Sequence, residues 1–148
     1  MANTNAHVEA EKWIREIELS RRYGQPFRAR NLLLRSRGEF KFDAVSDDQK
    51  IVAVISTSAG ITRKGSQATA KLQKIRSDVY WFFMLEHQPE RRLLVFTEQT
   101  MIDLINGEKK KGRFPSDFEI VKVELPNDLA QKVLNSQLEA SREVSPNK

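Results

Sequence analysis

The segment from Gly38 to Gly60, GEFKFDAVSDDQKIVAVISTSAG, narrows the fold more than any other part of the chain. Phe40, Phe42 and Ala44 alternate with Glu39, Lys41 and Asp43, so a strand here has one apolar and one polar face. SDDQK supplies a turn, and Ile51 to Thr57 is a second run rich in β-branched residues. Two such runs make a hairpin. A chain of 148 residues with 39% hydrophobic content can bury one core around it, so the expectation is a single domain over 1–148.

Helical and strand periods alternate on either side. Val8, Ala10, Trp13, Ile14 and Ile17 mark an amphipathic helix that Gly24 and Pro26 end. A basic connector containing Leu32 to Leu34 leads into the hairpin. Leu72, Ile75, Val79, Phe82 and Phe83 hold a helical period, with Trp13 and the aromatics Tyr80 to Phe83 read as core. Arg91 to Thr97 reads as a buried strand. Thr97 then caps a helix that Gly107 stops, and Phe118 to Leu125 is an alternating strand ended by Pro126. A last helix carries Leu129, Val133, Leu134 and Leu138, and residues 139–148 read as a frayed C-terminal tail. The predicted architecture is α/β, a mixed central sheet led by a β-hairpin and flanked by helices, in the order αββαβαβα.

Charge is distributed unevenly. Lys plus Arg outnumber Asp plus Glu by 25 to 20, a net charge of +5. From Arg21 to Lys41 there are seven basic residues against one acid, and from Ile61 to Arg76 five against none. Clustered cations of this kind are what a phosphate backbone recruits, because each one releases condensed counterions. Solvated basic faces would look the same. The longest apolar run, Val79 to Leu85, falls short of the roughly 20 residues that span a bilayer. The N-terminus lacks the pattern of a secretory signal and the chain has no cysteine, so the expectation is a cytoplasmic protein without membrane contact.

From Arg30 to Ser58 the elements RN, GE, FDAV, DD and IVAVISTS follow in an order that resembles the PD-(D/E)xK superfamily, the restriction-endonuclease-like nucleases. The resemblance implies a restriction-endonuclease-like sheet and an acid on one strand with a Glu-x-Lys pair on the next. In such a site two carboxylates hold Mg²⁺ and the lysine orients the attacking water. Asp43 matches the first acid. Val54, Ile55 and Ser56 stand at the Glu-x-Lys positions, and only Ile55 conforms. Two catalytic elements are therefore missing, and the expectation is a nucleic-acid-associated protein whose metal site is lost or rearranged.

Asp43 with Glu11 of the first helix is the candidate metal pair, Glu9 and Glu16 being further helix acids, and Mg²⁺ the cofactor if the site is active. Lys71, with Lys74 beside it, is the candidate migrated catalytic lysine to act with Asp43. Glu39, Lys41 and Asp43 also form an acid–cation–acid row on one strand face. Arg28, Arg30, Ser56, Arg63, Lys64, Lys71 and Lys74 are the candidate phosphate contacts, and STSAGITRKGSQ (56–67) offers hydroxyls, glycines and cations without forming a P-loop. Lys109 to Arg113 form a further basic turn. Partners implied are nucleic acid, DNA ahead of RNA, with a second copy of the chain or a partner protein also compatible. The alternatives are an active Mg²⁺-dependent nuclease and a protein-interaction subunit that touches no nucleic acid. His7 and His87 carry no assigned role.

Overall fold

The computed structural model describes residues 5–144, with side chains through residue 140. The described residues form an α/β fold with a five-stranded mixed sheet and four helices. Helix α1 covers residues 5–23 in three contiguous pieces: Asn5–Trp13, a π-helical stretch Ile14–Leu19, and Ser20–Tyr23. Gly24 ends it in the left-handed conformation (φ +71°), donating its N–H to the Ser20 carbonyl. Strands β1 (Phe27–Leu33), β2 (Glu39–Ser46) and β3 (Ile51–Ser56) follow. Helix α2 (Thr69–Phe83), strand β4 (Arg91–Phe96), helix α3 (Gln99–Lys110), strand β5 (Glu119–Lys122) and helix α4 (Asn127–Val144) complete the chain.

The sheet order is β1-β2-β3-β4-β5, with β1–β2 and β2–β3 antiparallel and β3–β4 and β4–β5 parallel. The β2–β3 turn is held by its own polar residues. Ser46 Oγ accepts the Ile51 N–H and donates to Asp48, and Gln49 takes a positive φ of 60°. Parallel pairing requires crossovers, and α2 and α3 provide them.

Both faces of the sheet are covered. On one, Phe42, Val54, Leu72, Phe82, Phe96 and Met101 belong to a core shared by α2 and α3. On the other, Ile14 and Leu19 of α1 pack with Phe27, Ala53, Leu93 and Val95. Ala6 and Ala10 of α1 meet Leu129 and Val133 of α4, the small alanines letting the helices close together. Phe82 contacts Phe42 and Phe118 edge-on, each at 5.1 Å between centroids. Truncating so buried a ring to alanine costs about 3–5 kcal/mol.

Several sequence expectations need correction. The segment before the hairpin is not a connector but strand β1, so the order is αβββαβαβα. Its arginines break the alternation, which an edge strand tolerates because its outer groups remain in water. Thr97 does not cap α3: Glu98 is the N-cap residue, and the Thr97 hydroxyl is buried without a partner among the described residues. Gly107 does not stop α3, which runs to Lys110 before Gly112 turns the chain at φ +72°. The β5 ladder covers Glu119–Lys122, a shorter span than Phe118 to Leu125. Tyr80 and Phe83 are exposed, whereas Phe82 is buried and Trp81 half-buried against Phe40. Trp13 is half-buried at the edge of the core. Helix α4 continues to Val144 through the start of the expected tail, and 145–148 lie outside the described residues.

Candidate functional site

The β1–β2 register contains an irregularity that decides where Asp43 points. Arg28 pairs with Val45 but Arg30 pairs with Phe42, so one step of two residues on β1 faces a step of three on β2. This is a β-bulge at Asp43 and Ala44, a device that bends a strand and re-aims a side chain. The β2–β3 ladder is short at the same place: Ala44 pairs with Ala53 and Val45 with Val52. Beyond that, β2 stays with β1 as far as Glu39 and β3 stays with β4 as far as Ser56. The sheet therefore forks. At the apex, Asp43 Oδ2 accepts the Ile55 N–H at 2.8 Å, replacing the next ladder hydrogen bond.

The fork brings groups from both helical layers to one carboxylate. From α1, Arg15 Nη1 donates to the Asp43 carbonyl at 3.1 Å and to Glu11 Oε2 at 3.1 Å. From α2, Lys74 pairs with Asp78 at 3.4 Å. Burial pushes the Asp43 carboxyl above its ordinary value, opposed by the Ile55 N–H, Lys74 and Arg15. Glu11 is raised by burial and by the charge of Asp43, against Arg15 and Lys74. Asp78 is raised by burial and by Asp43, with Lys74 pulling down. Lys74 thus acts on all three acids and Arg15 on Asp43 and Glu11, and burial makes the charge of each acid costly.

One helical turn further along, His7 Nδ1 lies 2.6 Å from Thr57 Oγ1, at the end of β3, and Gln137 Nε2 of α4 donates to the Thr57 carbonyl at 3.1 Å. Burial, then Lys71, lowers the His7 pKa. His7, Glu11 and Arg15 follow one another at four-residue steps along one face of α1, and Lys71, Lys74 and Asp78 at three- and four-residue steps along α2.

Of the expected site residues, Asp43 and Glu11 come together. Lys74 acts on Asp43, whereas Lys71 acts on His7. Val54 is buried in the α2-side core, and Ser56 Oγ accepts the Ser58 N–H, a local turn contact. Arg28 and Arg30 lie on β1 at exposed and half-buried positions, two residues apart on one strand face. Arg63 and Lys64 are exposed on a loop closed by the Ile61–Gln67 bridge. Glu39 and Lys41 are exposed. Glu9 pairs with Lys132 of α4, and Glu16 is exposed. In the basic turn, Lys109 donates to the Phe118 carbonyl and Arg113 pairs with Glu108, so both secure the end of α3.

Two members of the cluster were not anticipated. Arg15 follows Glu11 by four residues, a helical pairing visible in the sequence. Asp78 sits within the apolar stripe of Ile75, Val79 and Phe82, and an acid at such a phase signals a partner.

Chemically, Glu11 and Asp43 are oxygen ligands whose mutual repulsion a cation would relieve. Mg²⁺ is commonly held by one or two carboxylates, waters and substrate phosphates. Among the described residues no group of three His, Cys, Asp or Glu side chains is placed to hold a metal ion. No helix of the described residues is long and apolar enough to cross a membrane. Comparison of the chain with models of known families, with curated proteins and with solved structures finds no match. The fold and the side-chain cluster define an α/β protein with an acid–cation site at a forked sheet.

Proposed function

We propose that this protein binds the phosphate backbone of nucleic acid, DNA ahead of RNA, over the forked end of its sheet, as a restriction-endonuclease-like protein with a rearranged metal site. The observation that carries the reading is Asp43 at the apex of the fork with Glu11 and Lys74 arriving from opposite layers. An acid on the hairpin, a helix glutamate and a lysine are the groups that phosphodiester chemistry uses, although Val54 and Ser56 occupy the usual Glu and Lys positions. Arg28 and Arg30 on β1, Arg63 and Lys64 on the loop, and Lys71 and Lys74 on α2 supply cations around them. Fluorescence anisotropy with a labelled duplex at low ionic strength tests it. Saturable binding supports the reading, and none at any protein concentration removes it.

A second reading is favoured by the Glu11–Asp43 pair itself: Mg²⁺-dependent cleavage, with Lys74 beside the scissile phosphate. Cleavage that requires Mg²⁺ and disappears in Asp43→Ala supports it. Intact substrate after prolonged incubation with Mg²⁺ or Mn²⁺ leaves a binding protein.

A further inference from the structure

Just past Thr57 lies a groove of about 640 Å³, walled by residues of the 58–68 segment, the first turn of α2 and the later part of α4. Its apolar wall includes Ala59, Ala70, Leu134 and Leu138, and its charged groups are Arg63 and Lys71, with His7 at one end. No acidic side chain lines it among the described residues. Ile61 and Leu134 are 49% and 46% exposed, so large apolar surface is left open to water here.

Resting on the nucleic-acid reading above, we infer that this groove receives an unpaired nucleotide of a single strand whose phosphates continue along Lys71 and Lys74 toward Asp43. Cations without a counter-acid suit an anionic ligand. An aliphatic wall offers contact to the faces of a base, and Ser58, Thr62, Thr69 and Gln137 offer hydrogen bonds to its edges. The volume lies within the roughly 300–1,000 Å³ of pockets that take small organic groups. A base inside a duplex cannot reach such a pocket without leaving the stack, so the groove selects strands that are already unpaired. His7 and Lys71 line the groove, Glu11 and Lys74 follow them by one turn on α1 and α2, and Lys74 acts on Asp43, so both helices lead from the groove toward the fork.

The test compares the full chain's affinity for a labelled oligonucleotide as a single strand and as a duplex of the same length, by anisotropy at fixed low salt. The expected result is tighter binding of the single strand by about tenfold, the equivalent of one modest pocket contact. Ala70→Trp, which fills the groove from an exposed position, and Leu134→Glu, which sets an acid in its wall, should each bring the ratio of the two affinities close to one. Melting curves check that both variants are folded. Equal affinity for the two forms, or a preference that survives both substitutions, overturns the groove assignment while salt-sensitive duplex binding keeps the broader reading. Failure to bind either form removes both. Sodium decanoate that binds tightly without displacing the single strand also overturns the inference, reassigning the groove to an aliphatic acid.

Discussion

Asp43 Oδ2 accepts the Ile55 N–H at 2.8 Å, a side chain standing where the β2–β3 ladder would have placed a carbonyl. That one bond closes the fork at its apex and holds the carboxylate between two helical layers. It also separates what Asp43 does for the fold from what its charge does, since the bond needs an oxygen and not a negative charge.

Asp43→Ala leaves the Ile55 N–H without its acceptor and should cost about 1–3 kcal/mol in denaturant unfolding. Asp43→Asn keeps an acceptor and removes the charge. Because the folded state raises the Asp43 pKa above the ordinary 3.8, ionisation is costlier in the fold than in the unfolded chain. The contribution of this group to stability is full below that ordinary value and lost as pH rises through the raised one. Asp43→Asn should therefore melt higher than the parent at pH 7, and the difference should close as pH falls toward 4. An Asn variant that melts lower at pH 7 contradicts the electrostatic account.

Val54 lies between Ala53, the last β3 residue paired with β2, and Ile55, whose N–H Asp43 accepts, and it is only 4% exposed. Val54→Glu combined with Ser56→Lys places a second acid and a lysine beside the first acid. In chelator the double variant should melt below the parent, since a buried carboxylate costs several kcal/mol even when partly paired. Mn²⁺ should restore it, by about 2.7 kcal/mol at a hundredfold excess over the dissociation constant. Differential scanning fluorimetry reads both effects, and a double variant indifferent to Mn²⁺ shows that the introduced acid and Asp43 do not converge on one cation.

Gly60 lies where the 58–70 segment presses on the start of α3. Its N–H donates to Thr100 Oγ1 at 2.9 Å, and a Cβ at this position would overlap the Thr100 carbonyl. Gly60→Ala should lower stability by about 1–3 kcal/mol, as overpacking does. Gly65, with open space around it, serves as the control for space, although its positive φ of 85° also disfavours a side chain. Equilibrium unfolding of Gly60→Ala with parental stability would show that the segment yields freely.

The parts of the fold legible in the sequence are those that repeat a period. The alternation in Glu39 to Phe42 and the apolar stretches 51–54 and 93–96 report burial directly, whereas Ala44 falls on the other face of the sheet past the bulge. Strand β1 is hidden because Arg28, Arg30 and Asn31 lie on an edge, where no apolar alternation is required. The bulge at Asp43 leaves no trace in composition, yet it decides that this side chain meets Ile55. Glu11 could be named as a partner from the resemblance, but whether Lys71 or Lys74 meets Asp43 depends on where α2 lies relative to the fork. Tyr80 and Phe83 read as core because a helical period marks which side of α2 is apolar, and says nothing of how wide a face the sheet can cover.

The most direct test of the central claim is the salt dependence of duplex binding by the parent and by Lys71→Gln/Lys74→Gln. If Arg28, Arg30, Arg63, Lys64, Lys71 and Lys74 all meet phosphates, the logarithm of the binding constant should fall against the logarithm of salt with a slope of about −5, and the double variant should flatten it by about two. Affinity indifferent to salt, or a slope unchanged by the double variant, would contradict the assignment of the forked end of the sheet to a phosphate backbone.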